Sequence, residues 1–265
     1  MKHIAIRSTS VNKNAPYTAP GLGDRLYTML FAYNYSMHHN TPVTIHLTSD
    51  KYFRPDKNLS WNEIQSLLPK NTVHIEGHDI KELQELEWIR YLQEKEIPAV
   101  GYYNSDYPGP REFPSGMNNM VDASKYIKMY YPLEPIVNDI ELSEKFVTAQ
   151  FDSNNVPYYQ ESGDSRKIKP DVVRRIFNQF QEKGYDIVLI GGDAQNPKRG
   201  GPGNLKNIGY ALSKASYHIG ADSGFFHFAQ FYMKADRIRL FYNKGGHFSH
   251  HSKRGRDKGA VLIEV

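Results

Sequence analysis

Apolar and polar positions along the chain switch repeatedly between two periods, one helical and one of strands. Lys2 to Ile6 reads as a short buried strand. A stretch rich in Ser, Thr, Asn, Pro and Gly then carries the chain to Gly23 as a loop. From Asp24 to His39, Leu26, Met29, Leu30, Tyr33 and Met37 recur at helical spacing, with Asp24 at the N-cap position and Thr41-Pro42 as the stop. Val43, Ile45 and Leu47 alternate with Thr44, His46 and Thr48, which predicts a strand with one face more apolar than the other. Ser60-Trp61-Asn62-Glu63 carries the S-x-x-E capping pattern ahead of Ile64, Leu67 and Leu68, predicting a helix that ends at Pro69. A strand over Thr72 to Glu76 follows. A helix over Lys81 to Glu94, with Leu83, Leu86, Ile89 and Leu92 on one side, and a strand over Pro98 to Tyr103 complete the first half.

Residues 104 to 135 interrupt the alternation with seven prolines and glycines between Pro108 and Pro135, and read as a long loop plus a linker. The alternation then returns: a strand over Lys145 to Phe151, a helix over Pro170 to Lys183, and an almost wholly apolar strand over Asp186 to Ile190 ending in Gly191-Gly192. A helix over Leu205 to Ala215, a strand over Tyr217 to Gly220, a helix over Gly224 to Tyr232, and strands over Arg237 to Tyr242 and Ala260 to Ile263 finish the chain. The expected fold class is α/β, with two Rossmann-like domains facing each other across a cleft. The expected boundaries are residues 1–135 for the first domain, 136–143 for a linker and 144–265 for the second.

Composition narrows the chemistry. The net charge of +4 suits a phosphorylated ligand and is too small to argue for duplex DNA, and the chain has no cysteine, which removes thiol nucleophiles and cysteine zinc sites. No apolar run near the N-terminus is long enough for a signal core, and no segment approaches the ~20 apolar residues of a membrane span. The expected location is the cytoplasm, which includes the inner face of a membrane through peripheral contact. The 19 tyrosines read equally as core residues or as stacking surfaces for sugars and bases.

Three segments carry candidate chemistry, the third being the basic tail 244–256. Gly21-Leu22-Gly23-Asp24-Arg25-Leu26 opens the first helix, where glycines admit close approach of a ligand and free amides favour an anion; Leu26 replaces the third glycine of the dinucleotide fingerprint. Asp24 there reads either as a helix cap or as a base that takes a proton from a hydroxyl nucleophile. The second segment, Ile219 to Ala229, runs from a short strand into Asp222-Ser223-Gly224 and a helix bearing His227. The amides of Ser223 to Phe225 would suit a diphosphate, Asp222 would suit sugar hydroxyls, and His227 could reach phosphate or backbone; a capped helix with a buried histidine is the alternative.

Asp222-Ser223-Gly224-x-x-His227-x-Ala229, preceded by Ile187-Val188-Leu189-Ile190-Gly191-Gly192, resembles the donor half of the heptosyltransferase-like glycosyltransferases. The strand Val147-Thr148-Ala149-Gln150-Phe151, followed through a polar loop by Arg166-Lys167-Ile168-Lys169-Pro170, looks like the same family's basic strand–loop–helix unit. The resemblance covers residues 145 to 242 and implies the GT-B architecture in a compact version. It implies a nucleoside-diphosphate sugar as donor, held by Arg166 and Lys167 at its phosphates, by Gly191, Gly192 and Asp193, and by Asp222, Ser223, Gly224 and His227. In the first half Gly23-Asp24 looks like the family's acceptor-side motif with the aspartate as catalytic base, and the GLGDRL segment also resembles the opening of some fucosyltransferases. Gly21, Gly23 and Arg25 then fall on the acceptor side.

The expected activity is therefore sugar transfer to a glycan or glycolipid hydroxyl, with inversion and without a metal or other cofactor. A D-x-D metal motif is absent from the sequence, and His247, His250 and His251 in the basic tail 244–256 lack a carboxylate or cysteine pattern for a metal. The tail itself reads as a solvated basic loop or as a loop that closes over a diphosphate. No nucleic-acid partner is expected. A nucleotide-sugar epimerase and a non-catalytic nucleotide- or sugar-binding protein are the rival readings.

Overall fold

The computed structural model describes residues 1–6, 10–12, 15–18, 22–48, 61–78, 85–101, 120–122, 125–126, 129–136, 140–151, 168–191, 204–243 and 259–265. The chain divides into two compact units, Met1–Tyr131 and Pro132–Val265. Each is built on a five-stranded parallel sheet, so the α/β class and the two Rossmann-like units are as the hydrophobic pattern predicts.

In the first unit β1 (Lys2–Ile6) is followed by a small antiparallel hairpin, β2 (Ser10–Asn12) and β3 (Ala15–Thr18), in the stretch expected to be loop. These strands are three and four residues long and have too few positions to show alternation. Then come α1 (Leu22–His39), β4 (Val43–Thr48), the short α2 (Trp61–Gln65), β5 (Val73–His78), α3 (Glu85–Glu94), β6 (Ala99–Gly101) and β7 (Met120–Asp122). The sheet order is β5-β4-β1-β6-β7, all parallel. Strand β7 lies at the edge of the sheet, inside the Pro- and Gly-rich segment expected to be loop throughout; 102–119 lie outside the described residues.

Helix α1 starts two residues before the expected point, so Asp24 lies in its first turn and is not its N-cap. From Thr28 to Ser36 the helix is buried on every side, whereas Met37, expected on the apolar face, is 40% exposed. Strand β4 is likewise covered on both faces: Thr44 and His46 are buried along with Val43, Ile45 and Leu47. This is what a central parallel strand requires, because helices cover both sides of such a sheet. Buried His46 has His3 Nδ1 at 3.0 Å from its Nε2 and Glu76 Oε2 at 3.6 Å from its Nδ1. Helix α1 ends in a Schellman motif, with Asn40 at φ 46°, its amide bonded to the Met37 carbonyl and the Thr41 amide to the Ser36 carbonyl. Helix α3 ends the same way, with Glu96 at φ 53°.

The second unit contains β8 (Phe146–Gln150), α4 (Pro170–Glu182), β9 (Asp186–Leu189), α5 (Leu205–Lys214), β10 (Tyr217–Gly220), α6 (Gly224–Tyr232), β11 (Ile238–Tyr242) and β12 (Val261–Glu264). Its sheet order is β12-β11-β10-β8-β9, again parallel. Helix α4 has Pro170 at its start and lays Val172, Val173, Ile176, Phe177 and Phe180 against Val147, Ala149, Ile219 and Phe241 of the sheet. Helix α6 is buried almost throughout: every residue from Phe226 to Tyr232 is buried. Leu133, just after the division between the units, donates its amide to the Phe231 carbonyl at 2.7 Å. Among the described residues no helix is long and apolar enough to cross a membrane.

His218 of β10 is fully enclosed, with Nδ1 3.1 Å from Thr148 Oγ1 on β8. Burial pushes its pKa down to about 4, against a hydrogen bond with the Thr148 backbone that acts in the opposite direction. The unfolded chain therefore binds a proton near pH 6.5 that the folded chain refuses until about pH 4, and folding stability falls as pH drops through that window. The loss attributable to His218 is up to about 3 kcal/mol. Urea unfolding of wild type and His218→Gln at pH 7 and pH 4.5 checks this: the variant should lose clearly less stability on acidification, and equal losses would contradict it.

Candidate functional site

In an open parallel sheet, ligands bind outside the carboxyl ends of the strands, where the strand order reverses. In the second unit that point lies between β8 and β10. Four stretches meet there: the end of β8 at Gln150, the turn after β9 at Gly191, the end of β10 at Gly220, and the start of α6.

Two glycines make the meeting possible. A Cβ on Gly220 would lie 2.3 Å from the Gln150 carbonyl oxygen, so only glycine lets β10 run this close to β8 and lets the Ala221 amide reach that carbonyl at 3.0 Å. Gly191 turns the chain at φ +76°, and a Cβ there would lie 2.6 Å from the Phe225 ring and 3.1 Å from Gln150 Cγ.

Ser223 caps α6 with extended backbone, its Oγ accepting the Phe225 amide at 3.2 Å, while the Phe226 amide bonds the Ser223 carbonyl. Phe225, expected to offer its amide to a diphosphate, therefore spends it on the cap. The amides of Ser223 and Gly224 have no hydrogen-bond partner among the described residues and sit at the positive end of the helix. Beside them Asp222 is 8% exposed, and its Oδ2 has no hydrogen-bond partner among the described residues. A buried carboxylate oxygen without a donor is costly, and a ligand hydroxyl would meet the need. His227 lies deeper, 3% exposed, its ring edge-on to Phe226 at 5.1 Å.

Of the residues expected at the donor side, the structure thus brings together Gly191, Asp222, Ser223 and Gly224, with His227 beneath them. Arg166, Lys167, Gly192 and Asp193 lie outside the described residues, as does the basic tail 244–256. The side chains of Gln150 and Phe225 were not singled out from the sequence; for Phe225 only the backbone amide was. Gln150 looks like the polar end of an apolar strand, and Phe225 falls at an unspecified position of the D-S-G-x-x-H pattern.

In the first unit the strand order reverses between β1 and β6. Helix α1 follows β1 and leads to parallel β4, so its first turn, which contains Gly23 and Asp24, belongs to the carboxyl edge of that sheet. Arg25 is 5% exposed and belongs to the interior of the unit; Gly21 lies outside the described residues. Among the described residues no group of three or more His, Asp or Glu converges as a metal site.

No protein-family model matches the chain, and no curated protein matches it. Solved structures do. A family 9 glycosyl transferase from Veillonella parvula superposes with a TM-score of 0.53 at 12% identity, over 100% of this chain and 86% of that one. The ADP-heptose lipopolysaccharide heptosyltransferase II of E. coli superposes with a TM-score of 0.54 at 14% identity, over 99% of this chain and 90% of that one. With two Rossmann-like units of parallel sheet, the chain has the fold of these GT-B glycosyltransferases.

Proposed function

We propose that the protein is a glycosyltransferase that moves a sugar from a nucleoside-diphosphate sugar to a hydroxyl of a glycan or glycolipid. The observation that carries this reading is the pairing, at the strand-order reversal of the second unit, of the buried Asp222, whose Oδ2 has no partner among the described residues, with the amides of Ser223 and Gly224, likewise open among the described residues. An acceptor-only group suits sugar hydroxyls, and helix amides suit phosphate.

In the proposed reaction Asp24 takes the proton of the acceptor hydroxyl as its oxygen forms a bond to the anomeric carbon. The bond from that carbon to the phosphate oxygen breaks, and its electron pair leaves with the nucleoside diphosphate. A single displacement inverts the anomeric configuration. The amides of Ser223 and Gly224, with Arg166 and Lys167, stabilise the departing charge, so that no divalent metal is needed. We assign Gly191, Gly192, Asp193 and His227 to the donor side, and Gly21, Gly23 and Arg25 to the acceptor side, Arg25 from the interior of the first unit. We further propose that this takes place in the cytoplasm, with peripheral membrane contact where the acceptor is a lipid.

A thermal-shift panel of nucleoside diphosphates and nucleotide sugars, with and without EDTA, tests the donor site. At a hundredfold excess over its dissociation constant a ligand stabilises the folded state by about 2.7 kcal/mol, a shift on the order of 5 °C for a chain of this size. One nucleotide should give such a shift in the presence of EDTA. No shift from any of them would sink the reading, and a shift abolished by EDTA would sink its metal-free form.

A further inference from the structure

Phe225 is the odd residue of α6. The seven residues after it are buried, whereas this large aromatic side chain is only half-buried, on the first turn of the helix at the ligand end of the sheet. Its ring rests on Gly191 in the turn after β9, where a single added Cβ would collide with ring carbons at 2.6 and 3.0 Å. Phe228 supports it edge-on from within the helix, with ring centroids 6.5 Å apart. Gly191 and Phe228 thus hold the ring in place, and the ring stays partly exposed at the carboxyl end of the strands.

The four residues that open α6 therefore present three chemistries in order. Asp222 is a buried acceptor whose Oδ2 has no donor among the described residues, Ser223 and Gly224 offer amides, and Phe225 offers an apolar aromatic surface. A nucleoside-diphosphate sugar presents the complementary order: a hydroxyl-rich ring, two phosphates, then a nucleoside with a flat heteroaromatic base. Placing the sugar at Asp222 and the phosphates on the amides leaves the nucleoside on the Phe225 side. We infer that Phe225 is the wall against which the nucleoside end of the donor lies and that it sets how much the base adds to affinity, an inference that rests on the donor reading above.

The test is calorimetric titration of the full chain with inorganic pyrophosphate and with ADP, GDP and UDP. Wild type is expected to bind at least one nucleoside diphosphate more tightly than pyrophosphate. Phe225→Ala should weaken that nucleotide about tenfold or more while changing pyrophosphate affinity less than about twofold, and Phe225→Trp should keep nucleotide affinity near wild type, as base stacking on an aromatic ring predicts. Phe225→Leu keeps apolar packing on Gly191, so it should fold like wild type by circular dichroism and show the same split between nucleotide and pyrophosphate. If wild type binds a nucleotide and neither the Ala nor the Leu variant weakens it, the assignment of Phe225 is wrong and the donor site stands. Parallel loss of nucleotide and pyrophosphate also overturns the assignment, because it makes the ring a scaffold for the anion site. If wild type binds no nucleoside diphosphate, the donor reading falls and this inference falls with it.

Discussion

Replacing Asp24 with Asn is expected to lower sugar transfer by about 10²–10⁴-fold, the usual contribution of a positioned general base, while donor binding stays within about twofold of wild type. The split follows from the placement of the residue. Asp24 lies in the first turn of α1 in the first unit, and the donor constellation belongs entirely to the second. The substitution keeps the side-chain shape and removes only the negative charge. Near a helix N-terminus that charge is worth about 0.3–1 kcal/mol, too little to unfold the protein. Activity with each donor, measured beside nucleotide titration and a thermal melt, separates the outcomes. Lost transfer with intact binding identifies Asp24 as the base. Unchanged transfer removes it from the mechanism, and retained epimerisation of the donor without an acceptor would point to the epimerase reading. A non-catalytic binding protein would show no turnover in wild type either.

The second large effect is expected at Gly220. Gly220→Ala places a methyl group 2.3 Å from the Gln150 carbonyl oxygen, and the obstacle is backbone paired in register within the sheet, with no flexible side-chain tip to move aside. Relief requires β10 to separate from β8 at the register Gly220 to Gln150, which also disturbs the bond from the Ala221 amide to the Gln150 carbonyl. A cost of about 3 kcal/mol, at the upper end for overpacking a well-packed interior, is expected. Urea melts report it as a lowered midpoint, and a midpoint unchanged from wild type would show that the strands part without cost. Nucleotide affinity should fall too, since the same strand end carries Asp222 and Ser223 to the crevice.

The second unit was the more legible in the sequence because most positions of its strands are apolar, while α4 carries a clean apolar stripe. The D-S-G segment could be placed at a strand-to-helix junction for the same reason, and the structure brings Gly191 and Asp222 to Gly224 to one sheet edge. Hairpin β2–β3 and edge strand β7 left no such trace. Strands of three or four residues at the margin of a fold need little apolar surface, and the glycines and prolines around β7 mask its three residues. The end of α3 was obscured differently: Glu96 occupies the left-handed position that glycine usually takes, so the Schellman ending has no sequence flag. Met37 fits the helical period yet is exposed, because α1 buries a broader arc than a single stripe and runs out of cover at its last turn. The side chain of Phe225, in contrast to its amide, was illegible as part of a site because an aromatic in an apolar helix reads as core; its contact with Gly191 sets it apart.

Neither five-stranded sheet borrows a strand from the other, and the chain passes between the units once, near residue 131. Synthesis from the N-terminus therefore delivers every strand of the first sheet before any of the second. At about 5–20 residues per second, the rest of the chain takes roughly 7–30 s to emerge, long compared with the folding of a domain of this size. The first sheet can close on the ribosome during that interval, so the nascent chain exposes one unfolded sheet at a time and the chance of mispairing β-strands between the two halves is small.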